Sequence, residues 1–182
     1  MKQVDLSKFN NSWYQPGGKF KRFVWYFKNL FLLKSSIPWP NSYKVLALKF
    51  FGAKIGKGVI IKPCVNIKYP WLLEIGDNVW IGEEVWIDNL GKVKIGNNVC
   101  LSQGAMLLCG NHDYTKESFD LIVGDITLED GVWVGAKATV CPGVTMSSHS
   151  VLTAGSVLTK DTEAYSVYRG NPAGYVKGRV VE

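Results

Sequence analysis

Histidine is nearly missing from this chain: there are two in 182 residues, His112 and His149. A zinc centre built on three histidines is thereby excluded. The four cysteines, Cys64, Cys100, Cys109 and Cys141, form no CxxC pair. They read as buried thiols in a reducing compartment, not as a disulfide framework or a metal site. Long apolar runs are absent too. Near the N-terminus none exceeds about five residues, against the ~18 that a spanning helix needs. The first residues lack the apolar stretch and small-residue cleavage site of a secretory signal, so the expected location is cytoplasmic. Acid is the last scarcity. Residues 1–54 hold one carboxylate, Asp5, against ten Lys and Arg, a charge of +9, while the other 128 residues sum to −3. A basic, aromatic segment therefore precedes a faintly acidic body. At 47% hydrophobic and 20% charged residues, the whole is globular and not disordered.

The body repeats every six residues. Aliphatic side chains fall at Ile55, Ile61, Ile67, Ile75, Ile81, Ile87, Ile95, Leu101 and Leu107, then resume at Leu128, Val134, Val140, Met146, Leu152 and Leu158. Four places after most of them stands a small or β-branched residue, as at Val59, Val79, Ala105, Ala138 and Ser156. Three such hexads make one turn of a triangular prism, each hexad a short strand and a corner. The first coils are 20 residues long (Ile55, Ile75, Ile95) and the last is 18 (Leu128 to Met146). The exceptions to the small-residue rule, Trp71, Gly91 and Asn111, all fall on the third hexad, so one corner is irregular and can absorb insertions. About 15 extra residues, roughly 111–125, lie between Leu107 and Leu128. About five coils fit over residues 55–163, leaving 164–182 as a C-terminal arm.

Two stretches are more specific than the repeat. They are Leu152-Thr-Ala-Gly-Ser-Val-Leu-Thr-Lys-Asp161 with Arg169-Gly-Asn-Pro-Ala173, and Cys109-Gly-Asn-His-Asp-Tyr114. With the hexads, they resemble the hexapeptide-repeat acetyltransferases. The first is similar to the galactoside/maltose branch. The second, with the aromatic N-terminal segment, is similar to the colanic acid biosynthesis acetyltransferases. The resemblance implies an all-β solenoid, a left-handed parallel β-helix with a helical N-terminal cap. It also implies a homotrimer with the acetyl-CoA slot between subunits, and a sugar hydroxyl of a glycan or exopolysaccharide precursor as acceptor. An aminosugar acceptor, or a β-helix that only binds partners, is the alternative.

His112 stands at the root of the inserted loop, where a rigid wall meets a loop. By resemblance it is the general base. A neutral imidazole suits that task at cellular pH. Its plain alternative is a histidine that satisfies a turn, and no acidic partner for it can be picked from sequence. The resemblance assigns acetyl-CoA contacts to Trp133 on the pantetheine channel, to Ala154 through its backbone, to Thr159 and Lys160 near the phosphates, and to Arg169, Pro172 and Lys177 in the tail around the nucleotide. Gly174 departs from the pattern, standing where relatives often place an arginine. On the acceptor side, Asp88 and Asn89 occupy the irregular corner one coil before His112, where they either bind sugar hydroxyls or form a solvated corner. Tyr114 and Phe119 on the loop either stack on a sugar or anchor the loop. His149 reads as an exposed corner, and no metal is expected.

Residues 19–34 read as one helix ending before Pro38, and residues 42–51 as a second, ending at Gly52. They suit a cap over the open end of the solenoid. The mix of Lys, Arg, Phe, Trp and Tyr also suits an interfacial helix at an anionic membrane face. The interleaved Leu and Phe fit packing better than phosphate tracking, so no nucleic acid partner is expected.

Overall fold

The computed structural model describes residues 3–182. The hexads form a parallel β-helix, with strands of two or three residues on three faces. The first face stacks Lys54–Ile55, Leu73–Ile75, Val93–Ile95, Ile126–Leu128 and Thr145–Met146. The second stacks Ile60–Ile61, Trp80–Ile81, Cys100–Leu101, Trp133–Val134 and Val151–Leu152. The third stacks Asn66–Ile67, Trp86–Asp88, Met106–Leu108, Thr139–Val140 and Val157–Leu158. Register is uniform: Ile81 pairs with Ile61 on one side and Leu101 on the other, and Ile87 with Ile67 and Leu107. All 15 periodic aliphatics are buried, so each coil covers the apolar floor of the next.

The corners follow their own rules. Between the first and second faces, Gly58, Asn78, Asn98, Gly131, His149 and Tyr165 all have positive φ, one per coil. Side chains bind the coils along the same edge. The Asp77 carboxylate accepts from Lys57 N at 2.7 Å, Asn97 Oδ1 from Asp77 N at 2.8 Å, and the Asp130 carboxylate from Asn97 N at 2.7 Å. Hydrogen bonds from the Asn97 backbone and side chain hold Asp130 below the usual carboxylate range. The coils approach too closely for bulk there and at the next corner; a Cβ on Gly135 would lie 2.5 Å from Ala154 N. The corner between the third and first faces lacks this regular positive-φ column, with only Gly143 and, within the insertion, Phe119 in that region. It carries the insertion, which pairs Gly110–His112 antiparallel to Leu121–Val123.

Two helices cover the open end: α1 at Lys19–Lys28 and α2 at Asn41–Phe50. The helix expected over 19–34 changes pitch partway, with Asn29–Leu33 π-helical, which turns both Asn29 and Leu33 inward. Trp25, Leu33 and Leu48 are buried. Polar atoms of the cap replace the missing strand. The Trp25 indole donates to Ile67 O at 2.9 Å, Lys44 Nζ to Ile61 O at 3.0 Å, and Asn41 bonds both Val59 O and Ile61 N. These bonds satisfy edge groups that would otherwise template pairing with another chain. Burial lowers the Lys44 ammonium from its ordinary range.

At the other end the arm is a hairpin. Ser166–Gly170 continues the second face in parallel, and Ala173–Gly178 returns antiparallel to it. The hairpin overturns the reading of His149 as exposed. Its imidazole is half-buried, stacked on Tyr165 at 4.7 Å, and its carbonyl accepts from Arg179 at 3.1 Å. The returning tail covers this corner.

Trp25→Ala should cost about 3–5 kcal/mol, the range for deleting a large buried aromatic. Phe20→Ala on the exposed side of the same helix should stay within about 0.5 kcal/mol. Denaturant unfolding measures both, and equal costs would contradict the cap.

Candidate active site

The inserted hairpin sets His112 at the edge between the third and first faces. Asn111 Oδ1 accepts from His112 N at 2.8 Å and fixes the strand end. His112 Nδ1 lies 2.9 Å from the Phe119 carbonyl oxygen. A carbonyl only accepts, so Nδ1 carries the proton and Nε2 keeps the lone pair. The Phe119 ring lies flat on the imidazole, with centroids 4.5 Å apart and planes 9° apart, and Phe9 meets it at 5.7 Å. Phe119 holds a left-handed φ of 51°. Such a conformation in a bulky residue persists only where its surroundings impose it. Here its carbonyl is the orienting group that the sequence left unidentified.

A second part of the site was missed from sequence. Residues 3–18 run back along the solenoid to the inserted loop. Asp5 N donates to Glu117 O at 2.9 Å, and Lys8 pairs with Glu117 at 2.5 Å. Tyr14 donates to Leu90 O at 2.7 Å, and the Trp71 indole donates to Pro16 O at 2.8 Å. The signal was the presence of Phe9, Trp13 and Tyr14 in a stretch otherwise short of core residues. Between this strap and the corner lies a cleft of about 870 Å³. His112, Tyr14, Tyr69, Lys68 and Arg22 face it. Burial pushes the Tyr14 phenol far above its ordinary range, so it stays neutral. Cys109, close in sequence to His112, is no competing nucleophile: it is fully buried, and burial pushes its thiol up to about 12.

The acceptor residues read from sequence do not line this cleft. Asn89 is fully buried, accepting from Tyr69 N at 3.0 Å and donating to Tyr69 O at 2.6 Å. Asp88 is buried against Lys68 at 2.8 Å. Stacked coils need polar groups at this corner for their own backbone, so both side chains hold Lys68 and Tyr69, which do face the cleft. Tyr114 is exposed on the loop, outside the cleft lining.

The candidate cofactor residues fall in two places. Thr159 and Lys160 share the edge of His112. The register Leu107–Val140–Leu158 sets them two coils beyond the root of its hairpin, ~10 Å along the axis. Trp133 lies on the second face, half-exposed, its indole donating to Ser102 Oγ at 2.9 Å. Arg169, Pro172 and Lys177 sit on the hairpin that extends that face, and Ala154 at its far corner. In a triangular prism the second face lies opposite the edge of His112. One chain therefore does not bring His112 together with Trp133, Arg169 and Lys177. The second face also exposes Ile60, Trp80 and Trp133, and the third exposes Trp86, while the first presents Lys54, Glu74 and Lys94.

No protein-family model matches the chain. A protein of Escherichia coli (strain K12) bearing the name colanic acid biosynthesis acetyltransferase WcaF is 34% identical over 177 residues, 97% of both chains. A hexapeptide-repeat acetyltransferase from Vibrio cholerae, solved in complex with acetyl-CoA, superposes with a TM-score of 0.79 at 20% identity, over 90% of this chain and 89% of that one. A galactoside acetyltransferase in complex with coenzyme A superposes at 0.77 and 24% identity, over 87% of this chain and 80% of that one. The identity to the first protein over nearly the whole chain, on a fold shared with the other two, makes the chain a member of the hexapeptide-repeat acetyltransferases, acyltransferases built on a left-handed parallel β-helix.

Proposed function

We propose that the protein transfers acetyl from acetyl-CoA to a hydroxyl of a saccharide destined for an exopolysaccharide or related glycan. The observation that carries this reading is the locked tautomer of His112, with Nδ1 spent on Phe119 O in a cleft large enough for a sugar. The free Nε2 takes the proton of the acceptor hydroxyl as its oxygen attacks the thioester carbonyl. The tetrahedral intermediate collapses, the C–S bond breaks, and the imidazolium returns the proton to the departing thiolate. The Phe119 carbonyl favours that imidazolium by accepting from Nδ1–H, as a carboxylate does in hydrolytic triads. The names of the relatives supply the two substrate classes: coenzyme A or its acetyl ester in solved complexes, and colanic acid biosynthesis for the acceptor.

The site is completed by a second copy. A neighbouring chain turning its second face to the edge of His112 would bring Trp133, Ala154, Arg169, Pro172 and Lys177 to Thr159 and Lys160. Three prisms closed in a ring repeat that contact three times and cover the exposed tryptophans, which favours a homotrimer. Cationic side chains at Lys160, Arg169 and Lys177 suit the pyrophosphate and 3′-phosphate of coenzyme A.

We set the reaction in the cytoplasm, with residues 19–34 resting on the inner face of the membrane. Among the described residues no helix is long and apolar enough to cross a membrane. Yet α1 and its π-helical extension leave Phe20, Phe23, Phe27 and Phe31 exposed, with Phe20 at 80%. These rings alternate with Lys19, Lys21, Lys28 and Lys34, the pattern of a helix that rests among anionic headgroups.

His112→Ala should lower the rate of acetyl transfer by ~10²–10⁴ while acetyl-CoA affinity changes only a few-fold. Retention of more than a tenth of the activity in a coupled thiol assay would remove His112 as the base. For the membrane contact, the protein should sediment with phosphatidylglycerol vesicles at low salt. Phe23→Ser with Phe27→Ser should abolish that binding and spare transfer to a soluble acceptor. Equal sedimentation of the variant would count against the helix.

A further inference from the structure

The cleft beside His112 carries a charge that acetyl transfer to a neutral sugar does not need. Lys19, Arg22 and Lys68 line it, and no Asp or Glu does. Lys68 is paired with Asp88 at its back, but Lys19 and Arg22 form no salt bridge among the described residues. Arg22 Nε is closed off from solvent and has no hydrogen-bond partner. The polypeptide enters α1 at the same place: Gly17 and Gly18 line the cleft, and the first turn has neither an acid nor a side-chain cap. The positive end of the helix dipole adds to the two cations there. Across from them the Tyr14 phenol is neutral. The field is thus positive throughout the cleft, and an anion bound within it would neutralise that field.

Coenzyme A does not account for this charge. Lys160, Arg169 and Lys177, the cations proposed for its phosphates, lie outside the cleft lining. We infer that Lys19 and Arg22 form a subsite for a phosphate or diphosphate ester on the acceptor, which holds the saccharide with a hydroxyl against His112. This rests on the acetyltransferase reading and narrows its acceptor from saccharides at large to phosphate-linked ones. The volume agrees, since about 870 Å³ is near the upper end for small-molecule sites and exceeds what one sugar ring fills. The shared chemistry is the phosphoester, whose carrier is either a nucleoside or a polyprenyl lipid. The position on α1, whose outer side exposes the phenylalanines, matches a phosphate held near a membrane surface.

The test reads binding without turnover. With only two histidines in the chain, selective isotope labelling yields two imidazole signal sets, His112 and His149. Inorganic pyrophosphate should move the His112 signals saturably and leave those of His149 in place. Lys19→Gln with Arg22→Gln should weaken that response about ten-fold or more, as expected for losing charge-assisted hydrogen bonds. Lys19→Arg with Arg22→Lys keeps the charge and should keep the response, which separates the subsite from a folding defect. Lys160→Ala with Arg169→Ala should leave it intact. Uridine diphosphate glucose and vesicles carrying a polyprenyl diphosphate then identify the carrier by which binds more tightly. The inference falls if pyrophosphate leaves His112 unmoved, if the Gln variant responds like the wild type, or if the response vanishes with Lys160 and Arg169 instead. A response in a protein that acetylates no saccharide would retain the phosphate subsite and remove the acetyltransferase reading.

Discussion

Everything in this molecule depends on the register between coils. A strand of two or three residues is stable only when it pairs above and below with strands of equal length at the same position, ~4.8 Å away. Uniform register stacks like on like: isoleucine over isoleucine inside, a left-handed residue over another at the first corner, Asp77 next to Asn97 and Asp130 along an edge. No coil buries its apolar floor alone, so the two ends need covers of their own. Helices α1 and α2 cover one end and the hairpin of residues 166–178 the other. The price of that rigidity is that variation is confined to the edges and ends, and the candidate site lies where both occur.

This division explains what could be read from the sequence. The prism was legible because register turns a local rule into a period, and every periodic aliphatic from Ile55 to Leu158 is buried. The irregular edge was legible too, since Trp71, Gly91 and Asn111 break the pattern on one side only. The contacts across that edge were not. Asn89 reads like a sugar ligand, but its amide is consumed by Tyr69, one coil and 20 residues away. The partner of His112 is a backbone carbonyl, which no side-chain pattern reports. The strap of residues 3–18 reaches Glu117 and Leu90 through contacts with no period at all.

The basic segment has three tasks on this account, and the helices separate them by face. Trp25, Leu33, Lys44 and Leu48 turn inward and seal the solenoid. Phe20, Phe23, Phe27 and Phe31 remain outside. Lys19 and Arg22 face the cleft of His112. A saccharide tethered by phosphate to a membrane would meet these surfaces in sequence, from lipid to cation to base. The excess of +9 then has a use that neither solubility nor packing supplies.

The central claim is that the edge of His112 and the second face of the prism meet only between copies of the chain. Subunit mixing tests it most directly. A chain with His112→Ala is combined with one carrying Trp133→Ala, Arg169→Ala and Lys177→Ala, each inactive alone. In a closed ring of three every mixed assembly holds one intact site, so random mixing should restore about a quarter of wild-type activity. Activity no greater than the sum of the two parents would contradict the account.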